Sequence, residues 1–321
     1  MSIEQVTVFG GSGFIGRVVV QALARQGYQV RVAVRRPDLA DSVTTAGNVG
    51  QVMLMRANIR MPRSVAAAVA GSQAVVNAAG IPFQRGRQRY QSVHVDGARN
   101  IAAACRAAGV ERLVHVSGII GAERGSKNPF IRSKGDAEQA VIGEFETATF
   151  LRPSVVFGPN DQIFNRMAGI ASTAPIVPVV GSGKARVQPV FVGDVGDAAV
   201  AVLARPDTAR SVFELGGPLV YTYRELAALV LREIGRRRPI VGVPEGLMKI
   251  AGFLAQQIAI VGLRPPLTAD QVELMCHDNV VRAGALSLET LGIRPTAVEA
   301  ILPTYLDRFR AGGRYSLHVS A

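Results

Sequence analysis

Three glycines near the start of the chain are spaced so that they could bind a phosphate group. They are Gly10, Gly13 and Gly16, and they follow an apolar run at residues 6–9. This run predicts a buried parallel strand, and apolar residues recur at helical spacing after the glycines. Such a turn lets the backbone approach a pyrophosphate, and the helix N-terminus offers it free N–H groups. The segment therefore predicts a dinucleotide site, against the alternative of an ordinary glycine turn.

The second predicted strand, Gln29 to Val34, is followed directly by Arg35 and Arg36. An NAD site usually has a carboxylate here that accepts hydrogen bonds from the adenosine ribose, whereas a 2′-phosphate needs a cation. No carboxylate is present at this point, and a guanidinium can bind a phosphate through charge-assisted hydrogen bonds. Arg35 therefore favours NADP(H); the alternative is that both arginines belong only to a solvated loop.

The composition predicts a folded protein with an anionic partner. The chain has 321 residues, of which 48% are hydrophobic and 19% charged, and its formal net charge is +12. This length exceeds the usual size of a single core. The charge would attract a nucleotide, a nucleic acid, an anionic lipid surface or an acidic protein. Because the arginines are scattered and no basic helix carries interleaved aromatic residues, no nucleic-acid partner is expected.

Two cysteines, Cys105 and Cys276, lie far apart and form no C-x-x-C motif. They predict neither a disulfide framework nor a zinc site, and we expect both to be reduced. His277 next to Cys276 has no further ligands nearby, so no metal site is expected. The first strand begins by about residue 5, which leaves no room for a signal or transit peptide and predicts a chain that starts in the cytoplasm.

Strand and helix patterns alternate along the first half of the chain. Further strands are predicted at 51–55, 74–77, 113–117 and 149–153, and a long helix from Tyr90 to Ala108. This alternation predicts an α/β fold, a Rossmann-like doubly wound parallel sheet with a smaller C-terminal α/β lobe. The expected bounds are 1–160 for the Rossmann domain, completed by about 188–210, and 161–187 with 211–321 for the lobe.

The spacing Gly10-x-x-Gly13-x-x-Gly16 resembles the fingerprint of the extended short-chain dehydrogenase/reductase family, of the NAD-dependent epimerase/dehydratase type. The resemblance implies that the segment after the third strand contacts adenine, that the turn after the fourth lines the dinucleotide, and that the Arg-Pro segment of the sixth lies beside the nicotinamide. The cofactor-binding residues expected from the patterns and the resemblance together are Gly10, Ser12, Gly13, Phe14, Ile15, Gly16, Arg35, Asn58, Ile59, Ala78, Ala79, Gly80, Ser117, Lys134, Pro153, Val155 and Val156.

The resemblance fails at the residues that transfer protons in this family. Members that transfer hydride use a Tyr-x-x-x-Lys pair, and this chain has Phe130 four residues before Lys134. The family's Ser or Thr after the fifth strand would fall near Ile119, and Ser117 is more typical of a structural hydroxyl. Because phenylalanine has no exchangeable proton, we expect no catalytic residue and a chain that binds its cofactor without converting it.

The second half of the chain resembles the short-chain-dehydrogenase-like accessory subunits of respiratory complex I and their bacterial relatives. The stretches that carry this resemblance are 154–166, 181–195, 213–218 with 221–222, and 278–281. It implies a non-catalytic, NADPH-binding subunit with a structural role. Its partners would be peripheral-arm subunits near the membrane, with an anionic lipid surface as a further partner. It would lie on the cytoplasmic side of a bacterial inner membrane, or on the matrix side in a mitochondrion.

Two other functions remain open at this point: a free NAD(P)H-dependent reductase or epimerase, and an NADPH-sensing regulator. The apolar run from Leu247 to Leu263 is too short and too polar to cross a bilayer, which needs about 20 apolar residues. It predicts either a helix that faces a partner or lipid interface, or a buried core helix. A closing helix is expected from Thr296 to Arg310, and a loose tail from Gly312.

Overall fold

A computed structural model describes residues 3–122, 126–257, 267–310 and 312–313. The chain forms two compact units, described here one at a time. The first takes Met1–Pro153, Val192–Leu215 and Val281–Arg294, and the second takes Ser154–Phe191, Gly216–Val280 and Pro295–Ala321. These bounds differ from the expected ones. Residues 211–215 join the first unit because they add a strand to its sheet, and 281–294 follow because they pair with that strand.

A seven-stranded parallel sheet forms the centre of the first unit, as the alternating pattern predicts. With strands numbered along the whole chain, its members are β1 (Gln5–Phe9), β2 (Gln29–Val34), β3 (Val52–Arg56), β4 (Ala74–Asn77), β5 (Arg112–Val116), β6 (Thr149–Pro153) and β11 (Val212–Leu215). The strand order is β11-β6-β5-β4-β1-β2-β3, and every neighbouring pair is parallel. From β1 the next strands, β2 and β3, are added on one side, and from β4 the strands β5, β6 and β11 are added on the other. The doubly wound fold is therefore confirmed.

Five α-helices cover the two faces of this sheet: α1 (Phe14–Arg25), α2 (Pro62–Val69), α3 (Asp96–Ala107), α4 (Pro129–Glu144) and α6 (Val192–Ala204). The helices α2, α3 and α4 share one buried core with the sheet, in which Phe9, Ile101 and Phe150 are members. On the other face α1 packs against α6, where a Cβ added at Gly196 would lie 3.1 Å from Val18 Cγ1. The central strands β1 and β4 are thus buried on both sides, which is typical of parallel sheets.

The helix expected at Tyr90 to Ala108 begins differently from its prediction. Gln91–Val95 form a π-helical turn that continues directly into α3. A π turn shifts the side chains that follow it, and such turns are frequent at functional sites. Short 3-10 turns complete the first unit at Pro37–Leu39, Asp41–Ala46, Ile119–Ala122, Pro206–Thr208 and Glu289–Leu291.

The second unit combines three two-stranded sheets with short helices. Its strands are β7 (Val156–Phe157), β8 (Val177–Val180), β9 (Arg186–Val187), β10 (Val190–Phe191), β12 (Tyr221–Thr222) and β13 (Ile240–Val243), and its helices are α5 (Ile163–Thr173), α7 (Tyr223–Glu233), α8 (Glu245–Gln257), α9 (Ala269–Leu274), α10 (Val298–Ile301) and α11 (Pro303–Leu306). The pairs β7–β10 and β8–β13 are parallel, and β9–β12 is antiparallel. Phe157, Phe164 and Leu226 are fully buried in a second core.

The prediction of a single closing helix from Thr296 to Arg310 is wrong. The segment forms α10, α11 and a 3-10 turn at Asp307–Phe309. Pro303 begins α11, and its ring has no N–H to continue the hydrogen bonding of α10. The predicted tail from Gly312 lies almost wholly outside the described residues.

Helix α8 has an apolar face that the described residues leave open to solvent. Leu247, Ile250, Phe253 and Leu254 are 60%, 58%, 59% and 62% exposed. A core role for these four side chains is therefore excluded within the described part of the chain. The rest of the apolar run, from Ile258, lies outside the described residues. No helix in the described residues is long and apolar enough to span a membrane.

Candidate functional site

The glycine turn between β1 and α1 is built so that backbone atoms approach each other closely. Gly10 has a φ of +76°, and a Cβ there would lie 2.8 Å from the backbone of Ala78 and Ala79. A Cβ at Gly16 would lie 2.2 Å from the Gly10 carbonyl oxygen. Gly13 is the N-cap of α1 and has no side chain to cap its first N–H groups, and the first turn has no acidic residue. The turn therefore presents a positive helix end and a smooth backbone surface.

A groove opens beside this turn at the carboxyl ends of β1, β2 and β4. Predicted site residues that line it are Gly10, Ser12, Gly13, Arg35, Asn58, Ile59, Ala78, Ala79 and Gly80. Phe14 and Ile15 form the first turn of α1 beside it. Ligands of open α/β sheets bind at this kind of edge, where neighbouring strands lead to opposite faces. The structure therefore brings most of the predicted residues together at one edge.

Asn77 shapes the turn that follows β4. Its buried Oδ1 accepts a hydrogen bond from Ala79 N at 3.1 Å, and its Nδ2 donates to His115 Nδ1 at 3.0 Å. Both ends of the amide are thus used inside the protein. The bonds fix the backbone of 78–80 against Gly10, so the groove wall is set before any ligand binds.

Two arginines line the far end of the groove, which we call the arginine end (Arg35, Asn58, Ile59 and Arg60). Arg60 donates through Nη1 to the Arg87 carbonyl at 2.8 Å, and its backbone N–H donates to Asn58 Oδ1 at 3.2 Å. Partial burial, Arg60 and Arg36 all lower the pKa of Arg35 from its ordinary value. This end of the groove is therefore strongly positive.

Lys134 lies beside Gly80, which lines the groove. A Cβ added at Gly80 would lie 3.7 Å from Lys134 Nζ and 3.6 Å from His94 Nε2. Burial lowers the pKa of Lys134 to about 8, and the carboxylate of Glu138 opposes this shift. The lysine predicted from the family resemblance thus lies beside the turn that follows β4.

Phe130 belongs to an aromatic cluster with Tyr90 and His94. The ring centroids of Phe130 lie 5.5 Å from Tyr90 and 5.7 Å from His94, both edge to face. His94 Nε2 accepts from Ile81 N at 3.0 Å, so Nδ1 carries the proton and donates to Ser133 Oγ at 2.8 Å. Burial and the charge of Lys134 lower the pKa of His94 to about 2. The histidine is therefore neutral, and both of its ring nitrogens are used inside the protein.

The remaining predicted residues lie at the ends of β5 and β6 and beyond. Ser117 is 7% exposed, and its Oγ has no hydrogen-bond partner within the described part of the chain. Pro153 ends β6 in the first unit. Val155 and Val156 belong to the second unit, where Val190 N donates to the Val155 carbonyl and Val156 begins β7. The structure thus divides the predicted set between the two units.

A buried charge network supports α4 and the end of β6. Arg152 donates to both carboxylate oxygens of Glu138, at 2.9 and 2.5 Å, and its Nη1 lies 4.0 Å from Glu214. Arg282 donates to the buried carboxylate of Glu214 through its backbone N–H and its guanidinium. The charges compensate each other, and the network fixes the helix that carries Phe130 and Lys134.

Three comparisons place this geometry among known proteins. The family model described as the NAD dependent epimerase/dehydratase family matches residues 6–216, well over half of the chain. The chain belongs to the NAD dependent epimerase/dehydratase family.

Several proteins are similar to the chain over most of its length. The NADH-ubiquinone oxidoreductase 40 kDa subunit of Neurospora crassa is 32% identical, over 97% of this chain and 81% of its own. Subunit 9 of the NADH dehydrogenase (ubiquinone) 1 alpha subcomplex of Arabidopsis thaliana is 30% identical, over 96% of this chain and 78% of its own. The ceramide reductase of Caulobacter vibrioides is 30% identical, over 78% of this chain and 76% of its own.

A solved structure of another epimerase/dehydratase protein has the same fold. The UDP-glucose 4-epimerase of Thermus thermophilus, in complex with NAD, superposes with a TM-score of 0.67 at 21% identity, over 98% of this chain and all of its own. The fold expected from the resemblance is thereby confirmed.

Three residues that shape the site cannot be predicted from the sequence. His94, Asn100 and Arg60 act on segments remote in sequence: Asn100 Nδ2 donates to the Ile59 carbonyl at 2.8 Å, which anchors the loop after β3 to α3. No local motif marks such residues, because their partners are chosen by the fold. Within the described residues, no group of three or more His, Cys, Asp or Glu side chains is arranged to hold a metal ion.

Proposed function

We propose that this chain is an accessory subunit of a respiratory NADH:quinone oxidoreductase that binds NADP(H) and does not itself transfer hydride. The observation that carries the proposal is its similarity to complex I subunits from a fungus and a plant over nearly its whole length. Fold alone would not support this function, because the same fold serves many activities. Similarity that spans both units is a stronger argument, since it includes the residues outside the dinucleotide-binding sheet.

The groove of the first unit supports the cofactor part of the proposal. Glycine is required at Gly10 and Gly16 by backbone contacts that a Cβ would block. The uncapped N-terminus of α1 suits a pyrophosphate, and Arg35 suits the 2′-phosphate that distinguishes NADP(H) from NAD. The residues present therefore fit this cofactor, which would supply a hydride if a substrate and a proton donor were also available.

The aromatic cluster supports the proposal that no hydride is transferred. Reduction of a carbonyl leaves an oxyanion that needs a proton, and a phenol beside the lysine supplies it in related enzymes. Phe130 cannot do so, and the proton on His94 Nδ1 is donated to Ser133. Tyr90, the phenol of this cluster, is buried and donates to the Pro82 carbonyl at 3.3 Å. We expect the bound cofactor to have a structural or regulatory role.

Helix α8 is the surface that we propose for contact with the rest of the complex. Its exposed apolar side chains (Leu247, Ile250, Phe253 and Leu254) would gain free energy by burial against a protein or lipid surface. The +12 net charge would attract anionic lipid headgroups nearby. These features fit a peripheral-arm subunit near the membrane. The proposed location is the cytoplasmic side of a bacterial inner membrane, or the matrix side in a mitochondrion.

Fractionation of the native membranes tests this proposal. The protein should remain on membranes through a high-salt wash, because apolar contacts are not screened by salt, and should co-migrate with NADH-oxidising activity on a native gel. Ile250→Glu should release it from the complex, whereas Glu245→Gln at the start of the same helix should not. Recovery of the wild-type protein as a free monomer in the cell extract would contradict the proposal.

A free NAD(P)H-dependent reductase is the second candidate function. The similarity to a ceramide reductase favours it over an epimerase. Stopped-flow absorbance of bound NADPH, mixed with quinones, ketones and nucleotide sugars, separates the two candidates. Oxidation at about 1 per second or faster, a rate typical of enzymes, would favour the reductase. We expect no oxidation.

A further inference from the structure

We propose that Arg60 binds the 2′-phosphate of NADP(H) together with Arg35, and that Asn58 keeps the charge of Arg60 available for it. The inference rests on the proposed cofactor site and names the residues that would make that site selective. Arg35 follows β2, and its role at the 2′-phosphate can be predicted from the sequence. Arg60 follows β3 and therefore belongs to a different loop. Selectivity would then require two loops at once.

The placement of the two arginines is the first argument. Both line the same end of the groove, and β2 and β3 are neighbours in the parallel sheet, with Val34 opposite Arg56 in the register. Neither guanidinium forms an ion pair with a carboxylate in the parts of the chain that the structure describes. The Arg60 charge and the partial burial of Arg35 both lower the pKa of Arg35. Like charges held together without a carboxylate are stabilised when an anion binds between them.

The second argument is that Arg60 is held in place by neutral acceptors. Its Nη1 donates to the Arg87 carbonyl at 2.8 Å, and its Nε lies 3.5 Å from Asn58 Oδ1. These bonds fix the plane of the guanidinium but leave its full positive charge uncompensated. Arginine presents five N–H donors, so further donors remain for a phosphate. A pre-oriented guanidinium loses less entropy when it binds its anion.

Asn58 is the residue that distinguishes this arrangement from an ion pair. Its Oδ1 accepts from the Arg60 backbone N–H at 3.2 Å and faces Arg60 Nε. An aspartate there would put a carboxylate against the same guanidinium and neutralise it. Ser64 Oγ accepts from the Asn58 backbone N–H at 3.0 Å, and Asn100 anchors the next residue, so the loop geometry does not depend on this side chain alone. Asn58→Asp therefore adds a negative charge at the arginine end while the backbone of the loop keeps its other anchors.

Calorimetry with two ligand pairs tests the proposal on the full chain. NADPH is compared with NADH, and 2′,5′-ADP with 5′-AMP, since each pair differs by one 2′-phosphate. We expect Arg60→Ala to weaken NADPH and 2′,5′-ADP about 10- to 100-fold, the loss of a charge-assisted contact, and to leave NADH and 5′-AMP unchanged. Asn58→Asp should give a smaller loss for these two ligands, about 3- to 10-fold relative to any change that it causes for NADH and 5′-AMP.

Arg63→Ala is the matched control, because Arg63 is an exposed arginine three residues from Arg60 that does not line the groove. It removes the same charge and should change no affinity by more than about twofold. Equal losses for Arg60→Ala and Arg63→Ala would overturn the proposal in favour of general charge attraction. Competition by inorganic phosphate as strong as that by 2′,5′-ADP would overturn it in favour of a site for free anions.

Failure of this inference is distinct from failure of the proposed function. If Arg60→Ala binds NADPH as tightly as the wild type, Arg60 has no role in selectivity, but the cofactor site and complex membership stand. If the wild-type protein binds neither dinucleotide, the cofactor part of the proposed function fails, and the inference fails with it. Co-migration of Arg60→Ala with the native complex shows that the variant is folded.

Discussion

The arginine end of the groove and the aromatic cluster around Phe130 use their polar atoms in opposite ways. At the arginine end, two guanidiniums face the groove without a carboxylate partner in the described residues. In the aromatic cluster, the polar atoms of His94 and Ser133 are hydrogen-bonded to one another and to backbone. The first arrangement leaves N–H donors for a ligand, whereas the second uses its polar atoms inside the protein. The two regions of the first unit thus differ in what they leave for a ligand.

The largest expected effect tests whether the aromatic cluster depends on the rigid support of α4. Glu138→Ala would leave the half-buried guanidinium of Arg152 with only Glu214 at 4.0 Å, and should lower the free energy of unfolding by about 3 kcal/mol. Glu144→Ala, at the end of the same helix and paired with the exposed Arg106, should cost less than about 1 kcal/mol. Urea unfolding measures both, and equal losses would mean that the network gives α4 no special support.

The next effect tests the arginine end. Arg35→Ala should weaken NADPH binding by about 1.5–3 kcal/mol, because a charge-assisted contact with the 2′-phosphate is lost, and should leave NADH binding unchanged. Calorimetry of wild type and variant decides it. Equal affinity of the wild type for the two dinucleotides would remove the argument for NADP(H).

A third prediction tests the aromatic cluster through pH. Burial, Lys134 and His115 lower the pKa of His94 to about 2, whereas the unfolded chain has the ordinary value of 6.5. Below pH 6.5 the unfolded chain therefore binds a proton that the folded chain does not, so stability falls as the pH falls. This histidine should cost about 2 kcal/mol between pH 7 and 5.

The variant His94→Gln should lose that share of the acid dependence. Denaturant titrations at both pH values measure the difference between the two proteins. His115, whose pKa burial and Lys134 lower to about 3, should still contribute in the variant. An unchanged dependence would mean that the imidazole becomes protonated in the folded state.

The smallest effect concerns Ser117, the one polar group at the end of β5 whose hydroxyl lacks a partner in the described residues. Ser117→Ala should change the stability of the free protein by less than about 0.5 kcal/mol, because no hydrogen bond is lost. If the cofactor supplies the partner, the same variant should weaken NADPH binding by about 1 kcal/mol. A stability loss of about 2 kcal/mol without any change in binding would identify Ser117 as purely structural.

The sheet could be predicted from the sequence because parallel strands are buried on both faces and appear as short apolar runs. β2, β4 and β6 have the predicted bounds, and β3 and β5 differ by one residue. The glycine turn could be predicted for the same reason: strand, glycines and helix are contiguous, and Gly10 has the positive φ that only glycine adopts easily.

The predictions failed where residues interact across long sequence separations. Nothing near His94 indicates that it accepts from Ile81 and donates to Ser133, and Arg60 is remote from the Arg87 carbonyl that it binds. The expected helix at Tyr90 begins with a π turn that helical periodicity cannot reveal. The exposed face of α8 could not be predicted either, because an apolar helical pattern is the same for a core helix and for an interface helix.

The pairing of β11 with a distant segment has a consequence for how the chain is made. Glu214 N donates to the Leu286 carbonyl at 2.8 Å, and Arg282 compensates the carboxylate of Glu214, which is 1% exposed. A growing chain that has emerged only as far as β11 therefore carries an uncovered edge strand and a carboxylate that lacks Arg282. Because domains fold as units during synthesis, the dinucleotide-binding unit cannot be completed until about seventy further residues have left the ribosome. Until then the nascent chain exposes a strand edge of the kind that recruits chaperones or pairs with other chains.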